Sequence, residues 1–111
     1  PHPWQAVLDT AGICIEKGEV CLTHCIMLMG EGDKTMAACA TSVRDMLASC
    51  RALITLAGAE SKFAPKLAAL CVDVCKACEA ECKKHADKHK ACKECMESCT
   101  ECAKACKAKV A

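Results

Sequence analysis

Apolar positions along this chain recur every three or four residues in four blocks, each closed by a short polar or glycine-containing stretch. The first block carries Val7, Leu8, Ala11, Cys14, Cys21, Cys25 and Leu28. Side chains three and four apart share one face of an α-helix, so the pattern predicts a helix over 5–29. Gly12 and Gly18 each cost that helix about 1 kcal/mol against alanine, which is tolerable where another helix packs closely. Gly30-Glu31-Gly32 predicts a turn, and Asp33 or Thr35 caps a second helix over 34–57. Its stripe is Met36, Cys39, Val43, Met46, Cys50, Leu53 and Ala57. A second turn falls at Gly58-Ala59-Glu60. Ser61 caps a third helix over 62–85, and Pro65 fits only its first turn, where backbone N–H groups lack helical partners. Leu67, Cys71, Cys75, Cys78, Cys82 and His85 lie on one face of that helix. Ala86-Asp87-Lys88 leads into a fourth helix over 89–109, with Lys93, Glu94, Glu97, Glu101 and Lys104 on its solvent side.

Four helices joined by short turns must each run antiparallel to the next. The fold expected is all-α, an up-down-up-down four-helix bundle occupying residues 1–111 as one domain. This topology makes its two ends unlike. One collects Trp4, Val7, Leu8, Leu53, Ile54, Phe63, Leu67 and Val110, an apolar plug. The other collects His24, Met27, Met29, Met36, His85 and His89, a mouth lined with soft or borderline metal ligands.

Composition sharpens the question of what such a bundle holds. Cysteine supplies 14 of 111 residues, above the ~8–10% that marks a disulfide scaffold or a metal protein. The intervals from Cys71 to Cys82 are four, three and four, and those from Cys92 to Cys106 are three, four, three and four. Thiols thus occupy positions where a bundle normally carries leucine. Net charge is +1 with both signs interspersed, which gives no footprint for nucleic acid or an anionic membrane surface. No apolar run approaches the ~20 residues of a membrane span. Because the chain opens at Pro1, a preceding signal segment removed in processing is expected.

Disulfides suit this spacing poorly. Helical neighbours at three and four hold their Cβ atoms about 5–6 Å apart, farther than the ~3.5–4.5 Å a disulfide needs. Zinc sites and iron–sulfur clusters draw cysteines from loops that converge on one point. Here the thiols are drawn out along the bundle axis. Cu(I) accepts two or three soft ligands, so it can sit along a line of thiolates that neighbouring ions share. Each Cu(I) that replaces one thiol proton leaves the net charge unchanged, and capacity then approaches the thiol count.

The candidate ligands are therefore Cys14, Cys21, Cys25, Cys39, Cys50, Cys71, Cys75, Cys78, Cys82, Cys92, Cys95, Cys99, Cys102 and Cys106. Cys14 and Cys50, taken as nearest the plug, also read as packing cysteines. At the mouth the candidates are His24, Met27, Met36, His85 and His89. Met27 and Met29 also read as surface or packing residues, and Met46 as core filler.

Cys21-Leu22-Thr23-His24-Cys25, the run Cys71 to Cys82, Lys84-His85-Ala86-Asp87-Lys88-His89 and the run Cys92 to Cys106 together resemble the bacterial copper storage proteins over nearly the whole chain. The resemblance implies a bundle filled with many Cu(I) ions, loaded through a Met/His end. It is nearest the exported branch, which implies a homotetramer, an exported location and a copper chaperone or copper enzyme as recipient; a cytoplasmic location is the alternative. The competing functions are a copper chaperone, a zinc-sequestering protein and a redox enzyme. Fourteen thiols exceed what transfer of one ion needs. No Gly-rich loop, carboxylate pair or Cys–His–Asp arrangement supports catalysis.

Overall fold

The computed structural model describes residues 1–110. Its helices are α1 (Gln5–Gly30), α2 (Ala37–Gly58), α3 (Ala64–Lys83) and α4 (Lys90–Lys107), with one 3₁₀ turn at Lys34–Met36 leading into α2. Consecutive helices pack on each other and α1 closes the ring against α4, while α1 and α3, like α2 and α4, face each other across the diagonal. The result is the expected antiparallel bundle, 45 × 20 × 20 Å.

The helix ends follow from local backbone chemistry. At the end of α1, Gly32 adopts φ 96°. This lets Gly32 N–H donate to Met29 O and Asp33 N–H donate to Leu28 O, both at 3.0 Å. Those paired bonds satisfy two carbonyls that the helix end would otherwise leave open. Asp33 then accepts from Thr35 N–H, which starts the 3₁₀ turn. The same closure follows α2, where Glu60 N–H reaches Ala57 O and Ser61 N–H reaches Leu56 O. There the left-handed residue is Glu60, φ 52°, rather than a glycine, at a cost of about 1–2 kcal/mol. Ser61 Oγ accepts from Phe63 N–H, and Pro65 sits in the first turn of α3. The third helix is two residues shorter at each end than its hydrophobic pattern suggests, and α4 is also shorter, so His85 and His89 belong to the turn between them.

The plug forms, with one exception. Trp4, Val7 and Leu53 are buried there with Ala57, Ala64 and Ala68, and Leu8, Ile54, Leu67 and Val110 pack against them. Phe63 does not join: it is 57% exposed, with the Lys62 ammonium over its ring. It precedes the first residue of α3, so helical periodicity does not govern its direction. The short lead-in closes the plug from outside. Trp4 N–H donates to His2 Nδ1, and the other ring nitrogen of His2 lies 3.1 Å from Gly58 O. With Nδ1 accepting, Nε2 carries the proton and donates. Lys109 reaches Pro3 O and stacks over the Trp4 ring, tying the end of α4 to the start of α1.

Gly18 and Gly12 part company. A Cβ at Gly18 would meet Met46 Cε at 2.5 Å, so α2 does pack tightly there, whereas a Cβ at Gly12 meets nothing within 4 Å. On the outside, Lys17 pairs with Glu94 and Arg51 with Glu19, linking α1 to α4 and to α2. Exposed pairs of this kind add little to stability, because solvent screens them. No helix of the described residues is long and apolar enough to cross a membrane.

Candidate metal centre

All fourteen cysteines point inward and are fully buried, and all are free thiols. Helical phase explains the inward direction, because each falls on the stripe its helix buries. The antiparallel register then sets which thiols meet. Cys39 Sγ faces Cys82 Sγ at 3.6 Å and Cys50 faces Cys75 at 3.9 Å, both between α2 and α3. Cys21 faces Cys92 at 4.0 Å and Cys14 faces Cys99 at 3.6 Å, both between α1 and α4. Within α3, Cys78 and Cys82 lie 3.9 Å apart.

These contacts assemble sets of sulfurs within 4.8 Å of one another: Cys21, Cys25, Cys39 and Cys92; Cys21, Cys82 and Cys95; Cys78, Cys95 and Cys99; and Cys14, Cys50 and Cys75. The sets are not separate. Cys21 belongs to the first two and Cys95 to the second and third, while the Cys14–Cys99 contact carries the line on to the fourth. The sulfurs form one column along the bundle.

Cys71, Cys102 and Cys106 lie outside the sets, Cys102 beside the fourth and the other two on its plug side. On α3, which starts at the plug, Cys71 comes one turn before the Cys75 that faces Cys50. On α4, which ends there, Cys102 and Cys106 follow the Cys99 that faces Cys14. Cys71 and Cys106 are therefore nearer the plug than Cys14 and Cys50, contrary to the sequence-based expectation. Counting from the expected helix ends already puts Cys106 nearest the plug; it sets Cys71 only level with Cys14, and the offset between neighbouring helices separates those two.

Protons in this column are held unevenly. Burial, foremost, pushes the Cys92 thiol above its ordinary range. Cys21, with Cys25 as its foremost partner, is pushed up to about 12. A neighbouring thiol that donates to a sulfur stabilises its thiolate instead. Cys21 foremost draws Cys95 below the ordinary thiol range, and Cys106 foremost does the same to Cys102. A thiol drawn down in this way is a ready first anchor for a soft cation.

The mouth brings three histidines together. His24 of α1 and His89 of the α3–α4 turn are joined through Nε2 and Nδ1 at 2.9 Å, and the His85 ring lies 6.5 Å from that of His89 between centroids. Each is half-buried, and His24 directly precedes Cys25 of the outermost four-thiol set. Met36 is fully buried one turn ahead of Cys39 on the same stripe. Met27 is not part of this cluster. It is 55% exposed, because two residues beyond Cys25 places it on the opposite side of α1. Met29 is half-buried between α1 and α2, beside Leu22 and Ala37. One sulfur that reads as core filler in the sequence borders the column: Met46 Sδ lies 3.5 Å from Cys14 Sγ. The signal was present, since Met46 is in phase with Cys39 and Cys50.

A buried column of soft donors closed at one end and edged with imidazole at the other fits monovalent copper better than any single-ion site. The model of the copper storage protein family matches residues 2–111. The chain belongs to the copper storage protein family. It is similar to the uncharacterised cysteine-rich protein YhjQ of Bacillus subtilis, 28% identical over 107 residues, spanning 96% of this chain and 95% of that protein. Among solved structures it is similar to apo copper storage protein 3 from Bacillus subtilis, with TM-score 0.85 and 27% identity, covering 96% of this chain and 98% of that one. It is equally similar to the Cu(I)-bound copper storage protein BsCsp3, with TM-score 0.85 and 26% identity over 96% and 97% of the two chains.

Proposed function

We propose that this copper storage family member holds many Cu(I) ions along its thiol column and exchanges them through the histidine-edged end. The observation that carries the reading is the sharing of Cys21 and Cys95 between adjacent sulfur sets. Shared thiolates allow neighbouring ions to be bridged, so that the column fills as a unit rather than at isolated sites. The fourteen cysteines serve as ligands, those in the four sets foremost, and Cys71, Cys102 and Cys106 extend storage toward the plug. His24, His85, His89 and Met36 take copper in at the mouth and pass it to Cys25, Cys39 and Cys92. The protein is a reservoir and not an enzyme.

Four chains assemble, and exposed Ile13 and Val20, seven residues apart on α1, supply an apolar face for such contacts. An exported location and a copper chaperone or copper enzyme as recipient follow the resemblance to the exported branch. Cell fractionation tests the location, and light scattering tests the assembly.

Anaerobic titration of reduced apo protein with Cu(I) against a chelator tests the storage reading. Storage predicts saturation near one copper per thiol. Saturation at one or two ions would make most thiols packing residues and favour a chaperone, and preferential retention of zinc over Cu(I) would favour zinc sequestration.

A further inference from the structure

Cys14 has a sulfur neighbour that is not a cysteine. Met46 stands on α2 one turn before Cys50, fully buried, with its Sδ 3.5 Å from Cys14 Sγ. Cys14 also lies 3.6 Å from Cys99 Sγ and shares a sulfur set with Cys50 and Cys75. The thioether therefore borders the thiol column itself, where a purely apolar filler would have no reason to present a sulfur. Gly18 explains how it fits. A Cβ there would come within 2.5 Å of Met46 Cε and 2.9 Å of Leu47 Cδ2, so the bare glycine makes room for the Met46 methyl while the sulfur lies against Cys14.

We propose that Met46 is a further sulfur ligand of the store, binding through its thioether the Cu(I) that Cys14 carries. The inference rests on the storage reading above and adds to it a residue outside the cysteines and the mouth. Thioethers, like thiolates, are soft donors that select Cu(I). When Cu(I) binds at Cys14, the thiol proton leaves to solvent and the thiolate balances the charge of the ion. The Met46 sulfur then donates a lone pair and adds no charge, which raises the coordination number while keeping the buried site neutral. With metal–sulfur bonds of about 2.3 Å, sulfurs around a three-coordinate ion stand about 4 Å apart. The separations of 3.5 and 3.6 Å need only a small opening. Methionine's three rotatable bonds supply it on one side.

The test uses selenomethionine-labelled protein, wild type and Met46→Leu, each loaded anaerobically with Cu(I) and measured by X-ray absorption at the selenium edge. Leucine keeps the volume, a swap that packed cores tolerate, and far-UV circular dichroism verifies that the bundle is intact. The expected result is a copper neighbour at bonding distance from selenium in the wild type that is reduced in Met46→Leu; any contribution from Met36 is common to both. Copper per chain stays the same, because no thiolate is lost, but one ion becomes at least about tenfold easier for a chelator to remove. Gly18→Ala, which displaces the Met46 methyl without removing its sulfur, shows part of the same weakening. A fully loaded wild type whose selenium spectrum equals that of Met46→Leu overturns this inference alone. A wild type that takes up no copper overturns the storage reading and this inference together.

Discussion

Replacing Cys21 by alanine is expected to remove one copper per chain, neither none nor a cluster of three or four. Cys21 is shared by two sulfur sets, which on geometry alone points to a larger loss. Without it, Cys25, Cys39 and Cys92 still form a trio, and Cys82 and Cys95 still form a pair. Both suffice for an ion that accepts two or three sulfurs. Charge sets the count instead. Among the described residues, the only buried side chains besides cysteine are apolar ones and Ser98, so only thiolates can balance buried cations. An ion without its own thiolate would be an uncompensated buried charge costing several kcal/mol, which is about a thousandfold or more in affinity. The fourteen thiols become thirteen, and capacity follows. Loss of the sulfur atom costs the apo bundle about 1 kcal/mol, the scale of one buried methylene, so it stays folded. The assay is anaerobic loading, gel filtration, and copper and protein determination on the same fractions, with Cys71→Ala as comparison. Although Cys71 lies outside the sets, the charge rule gives it the same loss of one. Undiminished capacity in Cys21→Ala would show that copper is held without a matching thiolate. Loss of a whole set would show closed clusters rather than a continuous column.

Copper affinity is expected to rise with pH, because each ion displaces a thiol proton. Chelator competition below the thiol pKa should show close to a tenfold change per pH unit for each proton released. The apo protein should respond in the opposite sense. Cys21 is held up to about 12, and Cys92 is raised by burial. Unfolded thiols titrate near about 8.5. Below that both states are protonated and the folded advantage is intact; above it the unfolded chain releases protons first, so stability falls as pH climbs toward 12. Urea melts of reduced apo protein check this, and a melt insensitive to alkali would contradict it. At the mouth, Met36→Leu combined with His85→Ala and His89→Ala should slow loading, read by stopped flow, while final capacity stays within one ion of wild type; an equal loss of capacity would make these residues storage ligands. Finally, the reduced apo chain should show the far-UV circular dichroism of a helical protein, since Val7, Val43, Leu53 and the plug alanines are buried without metal. A near-random spectrum would show that folding requires copper.

Much of this arrangement is legible in the chain itself because helical phase is a one-dimensional property. Spacings of three and four among Cys71, Cys75, Cys78 and Cys82 state which face is buried, and short turns state that neighbours run antiparallel. Offsets between helices are not written in phase. That is why Cys71, as far from its expected helix start as Cys14 is from its own, proves closer to the plug, and why the Cys21–Cys92 and Cys39–Cys82 pairings emerge only from the fold. Phase also fails at helix ends. Phe63 precedes α3 and turns outward, and His85 lies beyond α3. Its approach to His89 comes from the turn's path instead. Met27 shared the residue type of a ligand but not the phase. Met46 had the phase, but its residue type is so often packing that only the distance to Cys14 separates the two readings.

If copper fills the interior along the bundle axis, anomalous diffraction at the copper edge from crystals of the fully loaded protein will show it. The expected result is a file of copper peaks between the four helices, each at bonding distance from two or three sulfurs, running from Cys25 and Cys92 at the mouth past Cys21, Cys95 and Cys99 to Cys75 and beyond. Peaks confined to the histidine cluster or the outer surface, with the thiol column empty, would contradict it.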